Sequence, residues 1–149
     1  MYRLIELVMQ NNKEAQAIYP FEDYTVAKSE FETKVGADMK SEAYTGFMLL
    51  IIDNIGKVID IKHGGDTFKP RLIEVKVTDE ETPDITPYDS TLLVEANFHS
   101  KWGAAIKNDA VKAEMLRGID GFGGEVCYTY WVRPIEQEEP TPEPEEVTE

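Results

Sequence analysis

The chain has 149 residues, with 15 Lys and Arg against 29 Asp and Glu, for a formal net charge of −14. That balance argues against direct duplex binding, which sets Lys and Arg against phosphates. A single cysteine, Cys127, excludes an internal disulfide. Two histidines and one cysteine do not make a structural zinc site of the usual composition, so no metal and no cofactor are expected.

Tyr2 to Met9 alternates and is rich in aliphatic residues, which predicts a strand. The polar stretch Asn11-Asn12-Lys13-Glu14 follows, then Ile18-Tyr19-Pro20-Phe21, a short extended piece whose proline marks an edge or a strand end. Asp23 or Thr25 caps a helix running to about Lys40, with Ala27, Phe31, Val35 and Met39 at helical spacing. Gly46 to Ile52 reads as a strand, and Asp53-Asn54-Ile55-Gly56 as a hairpin turn into a return strand, Val58 to Lys62. Phe47 to Ile52 is also the longest apolar run, far short of the ~20 residues of a membrane span. The N-terminus shows no secretory signal pattern.

After the linker Gly64 to Pro70 the same order returns. Arg3-Leu4-Ile5-Glu6 recurs as Arg71-Leu72-Ile73-Glu74, and after one residue of slippage the match continues at an offset of 67. Phe31, Lys34, Gly36, Met48, Leu49, Asp53 and Gly56 recur as Phe98, Lys101, Gly103, Met115, Leu116, Asp120 and Gly123. We read a tandem duplication. Leu72 to Val77 is the strand, Ile85 to Tyr88 the short extended piece, and Asp89 or Ser90 the cap of a helix to about Lys107. Glu114 to Ile119 and Val126 to Trp131 are the hairpin strands. The expected architecture is α+β, with two β-(β)-α-β-β repeats, 1–66 and 67–135, joined in one pseudo-twofold domain. Residues 136–149 hold seven acids and no base, and this Pro/Glu-rich composition predicts a disordered tail. Gly36 and Gly103, kept inside both helices, suggest close approach of backbone or a bulky side chain.

Few residues suggest chemistry. His99 lies beside Ser100, but helix neighbours point about 100° apart and the other copy has Glu32-Thr33 there. Asp53 and Asp120 start turns, where Asp bonds its own backbone. No catalytic constellation emerges. The second copy has instead gained aromatic residues: Trp102 on its helix, with Tyr128, Tyr130 and Trp131 in its last strand, where Tyr128 and Tyr130 share a face and Trp131 points to the other. These four, with His99 and Lys101, form the candidate binding set, because aromatics favour interfaces.

The pattern Phe-His-Ser-Lys-x-Gly-Ala-x-x-Lys followed by Ile-Asp-x-x-Gly, at Phe98 to Lys107 and Ile119 to Gly123, resembles small phage and prophage proteins of Gram-positive bacteria. In those, a single unit of this kind is common, beside late genes for tail and lysis. The resemblance implies a phage origin, and no catalytic residue carries over. The expectation is a non-enzymatic binding or assembly protein, a virion or tail-associated accessory subunit in the cytoplasm of a bacterial host or built into the particle. Its partner is then another protein or a second copy. The alternative is an inhibitor of host defence, acting as an acidic mimic of nucleic acid or as a sponge for a small nucleotide, with Lys34, Lys40, Lys101 and Lys107 at a cleft between the copies.

Overall fold

The computed structural model describes residues 1–135. The acidic tail expected at 136–149 lies outside the described residues. Strands β1 (Tyr2–Gln10) and β2 (Lys13–Phe21) are followed by helix α1 (Tyr24–Lys40), then β3 (Gly46–Ile52) and β4 (Val58–Gly65). Strands β5 (Arg71–Val77) and β6 (Glu81–Pro87), helix α2 (Thr91–Lys107), β7 (Ala113–Ile119) and β8 (Glu125–Val132) repeat that order. Each half closes its own antiparallel sheet, in the orders β2-β1-β3-β4 and β6-β5-β7-β8. The fold is α+β.

Alternation along each central strand divides the apolar residues between two layers. Ile5, Leu7, Met48, Leu50 and Ile52 of one sheet meet Ile73, Val75, Met115 and Ile119 of the other in a shared core between the sheets. On the outer faces, Leu4, Leu49 and Ile51 pack under Ala27 and Phe31 of α1, and Leu72 and Leu116 under Val94 and Phe98 of α2. The result is four layers, helix on sheet on sheet on helix. Strand β3 is buried on both faces along its whole length, which is why Phe47 to Ile52 reads as an unbroken apolar run.

The helices are capped by Asp23, whose carboxylate accepts from Thr25 N at 2.6 Å, and by Ser90, whose hydroxyl accepts from Leu93 N at 3.2 Å. Both hairpin turns are built alike. Asp53 Oδ1 accepts from Ile55 N and Lys57 N at 3.0 and 2.9 Å, and Asp120 Oδ1 accepts from Phe122 N and Gly124 N at 2.8 and 2.9 Å. Gly56 and Gly123 then take φ of +83° and +87°, which a side chain would strain. Both aspartates therefore shape turns. The one-residue slip in the repeat falls at the β1–β2 tip. There Asn11 and Asn12, both at positive φ, make a two-residue turn where β5–β6 uses three residues.

Several expectations need correction. The extended pieces around Pro20 and Pro87 are the ends of full strands that begin at Lys13 and Glu81. Gly64 and Gly65 belong to β4 and not to a linker. Met39 and Ile106 are exposed, and the buried positions at the ends of the helical stripes are Asp38 and Ala105. A strict spacing of four overshoots the 3.6-residue turn by about 40° each step, so the stripe from Ala27 through Phe31 must fall back to Asp38. Gly36 and Gly103 face open space, where a Cβ would meet nothing within 4 Å. Close helix approach occurs instead at Gly118 of β7, where a Cβ would stand 2.6 Å from Val94 Cγ1. At the positions 67 earlier stand Ala27 and Ile51, so bulk has moved from strand to helix while the layer stays filled.

Contacts between the halves are reciprocal. Arg3 Nη2 donates to Glu81 Oε2 at 2.5 Å, and Arg71, which matches Arg3, pairs with Glu14, which matches Glu81. Gly56 lies against Met115, and Gly123 against Met48 and Ile61. Gln16 Nε2 donates to Ile85 O at 2.9 Å, bringing edge strands β2 and β6 to the same side of the sandwich. Tyr128 donates to Ile55 O in the turn before β4, so β4 and β8 share the other side.

Candidate binding face

The two sides differ in how their strand edges are protected. An edge strand offers unpaired N–H and C=O groups to any passing strand, and proline blunts that offer. The β2/β6 side carries Pro20, Pro83 and Pro87. Neither β4 nor β8 contains proline, and β8 carries a single charge, Glu125 at its start. Among the described residues no strand pairs with the outer edge of either. The open side also shows apolar surface: Ile61 is 44% exposed, Phe122 61%, Tyr130 42% and Val132 54%.

The six candidates do not converge on one patch. Tyr128 and Tyr130 sit on the inter-sheet side of β8, opposite Arg117 and Met115 of β7, and Trp131 faces α2, opposite Glu114. Tyr128 is engaged, donating to Ile55 O beneath the Arg117 guanidinium, which stands 4.4 Å from its ring centre. Burial holds its hydroxyl above the ordinary tyrosine range, with Arg117 opposing. Trp131 is covered by Arg133, whose guanidinium lies 4.8 Å from its ring and donates to Ala105 O, Ile106 O and Asn108 O at the end of α2. Trp102 packs on Phe98 at 6.0 Å in the layer under α2, its Nε1 buried without an acceptor. His99 is exposed on α2 with its ring 5.2 Å from that of Phe98. Lys101 Nζ lies 3.5 Å from Glu74 Oε1 and is spent inside the molecule.

Of the predicted set, Tyr130 alone belongs to the open apolar side. Sequence reasoning missed Ile61, Phe122 and Val132 there. The available signal was the alternation of β8, which puts Val132 on the face of Tyr128 and Tyr130.

The lysines proposed for a nucleotide do not converge either. Lys34 and Lys101 pair with Glu6 and Glu74 under helices on opposite outer layers, and the groove between the halves, lined by Glu14, Gln16, Lys69 and Arg71 among others, holds none of Lys34, Lys40, Lys101 and Lys107. Exposed acids stand on both outer layers, Glu32 on α1 and Glu95 on α2, and at the β5–β6 turn as Asp79 and Glu80. No helix of the described residues is long and apolar enough to cross a membrane. Comparison with protein-family models, with curated proteins and with solved structures returned no match to this chain.

Proposed function

We propose that the chain is a tandem duplication of one β-β-α-β-β unit, its copies packed about an approximate twofold axis between the sheets. The reciprocal pairs Arg3–Glu81 and Arg71–Glu14 support this, because an isologous contact has residue i meeting j and j meeting i. The complementary exchange of Ala27 and Ile51 for Val94 and Gly118 supports it independently.

On this reading the protein is a non-enzymatic, phage-encoded binding or assembly subunit that engages its partner by strand addition along the β4/β8 side. The observation that carries it is the contrast between proline-blunted edges on one side and proline-free edges flanked by exposed apolar residues on the other. Main-chain groups of β8 supply affinity in this mode, and alternate side chains such as Tyr130 and Val132 supply selectivity. The anti-defence alternative is weaker, since neither the acids nor the lysines gather on one face.

Mass spectrometry of purified phage particles tests the assembly role. The chain is expected at a fixed stoichiometry to a structural protein and retained through a high-salt wash. Its absence from particles would remove the virion role.

A further inference from the structure

Beneath each helix lies a buried carboxyl group that finds no donor. In the first half it is Asp38 on α1, only 8% exposed, with Oδ2 unpartnered. In the second it is Glu114 on β7, fully buried, with both carboxyl oxygens unpartnered. These are not matching positions. Residue 38 corresponds to Ala105 and residue 114 to Phe47, so the acid has crossed from helix to strand while an apolar residue has crossed the other way. The acid nevertheless stays in the same layer and meets the same neighbours. Asp38 lies beside Glu6 of β1, which Lys34 of α1 approaches at 3.7 Å, and Glu114 lies beside Glu74 of β5, which Lys101 of α2 approaches at 3.5 Å. Glu6 matches Glu74, and Lys34 matches Lys101.

Two carboxylates buried in contact cannot both ionise cheaply, and an unpartnered buried charge costs more still. One proton between them resolves both problems, because the protonated acid becomes a donor to its neighbour. The lysine of each half stands against Glu6 or Glu74, so the shared proton stays on Asp38 and Glu114, which donate it to that neighbour. We infer that each helix is latched to its sheet by a carboxyl pair sharing one proton, and that loss of this proton loosens both helices.

Other charged groups facing these pairs are few. In the first half they are Lys34 and, beyond it, Tyr19 of β2, whose ring lies 4.3 Å from Lys34 Nζ. In the second they are Lys101 and Lys76, while the register partner of Glu114 on β8 is Trp131. Burial first, then the neighbouring glutamate, pushes Asp38 up to about 7 and Glu114 up to about 8. Both folded values exceed those of the unfolded chain. The latch is therefore complete below about pH 4, where both states are protonated, and is lost as pH rises through the folded values. Asp38 releases before the more deeply buried Glu114.

A carboxyl-carbon NMR titration of the full chain reads this directly, beside urea unfolding at pH 5, 7 and 9. Two carboxyl signals are expected to titrate near 7 and 8; Asp38→Asn should remove the first and Glu114→Gln the second. The urea midpoint of the wild type should fall from pH 5 to pH 9, and the double variant should lose most of that fall. If every carboxyl titrates below pH 6, or if the double variant keeps the full pH dependence, the shared-proton latch is wrong. Neither outcome bears on how β8 meets a partner.

Discussion

Truncating Phe98 to alanine is expected to lower the unfolding free energy by about 3–5 kcal/mol, a large share of what a domain of this size possesses. Phe98 is 4% exposed and fills the layer between α2 and the sheet against Leu72, Val94 and Leu116. Its ring also supports Trp102, so the cavity cannot close without moving a second aromatic. Phe31, 5% exposed among Leu4, Ala27, Leu49 and Ile51, should respond similarly. Urea unfolding of the two variants checks both. A cost below about 1 kcal/mol in either would mean that its helix is held by something other than this ring.

The second large effect belongs to the arginines between the halves. The Arg71 side chain is 3% exposed and its Glu14 partner 16%, whereas Arg3 at 6% faces a Glu81 that is 49% exposed. Removing one partner of a sheltered pair leaves the other charged and unpaired, at about 3–5 kcal/mol, while a half-exposed carboxylate recovers water cheaply. Arg71 further donates to Gln16 Oε1 at 3.3 Å and Lys69 O at 2.7 Å, so its loss strands more acceptors. Arg71→Ala should thus cost about 3 kcal/mol and Arg3→Ala clearly less. Equal costs, or a larger one for Arg3, would show that solvent shielding of the acid does not set the balance.

Much of the fold was legible because local chemistry decided it. Helix ends at Lys40 and Lys107 followed from the caps and the apolar spacing, and Asp53 and Asp120 formed the turns that Asp-x-x-Gly implies. The edge strands were harder. Lys13, Glu14, Glu81 and Thr82 carry no apolar alternation because an edge strand can face water on much of its surface, so β2 and β6 looked shorter than they are. Gly36 and Gly103 show that a glycine present in both halves need not mark a packing contact; the close contact is at Gly118, where the first half has Ile51.

Site residues were legible only as far as strand periodicity reaches. It placed Tyr128 and Tyr130 on one face and Trp131 on the other. It was silent on the bond from Tyr128 to Ile55 O, 73 residues away, and on the guanidinium of Arg133 over Trp131. Buried acids were the other blind spot, because a charged residue is normally read as solvated surface. The signal lay in aligning the two halves of the sequence, where Asp38 and Phe47 trade places in kind with Ala105 and Glu114.

Light scattering on the full-length chain, with and without Tyr130→Lys and Val132→Lys together, tests the open-edge account most directly. The wild type is expected to scatter above the monomer mass, increasingly so with concentration, because the open edge of one copy can pair with that of another. The double variant should return to the monomer mass with an unchanged urea midpoint, since both side chains are solvent-exposed. A wild type that remains monomeric at every concentration and is indistinguishable from the variant, both alone and in its binding to phage particles, would contradict it.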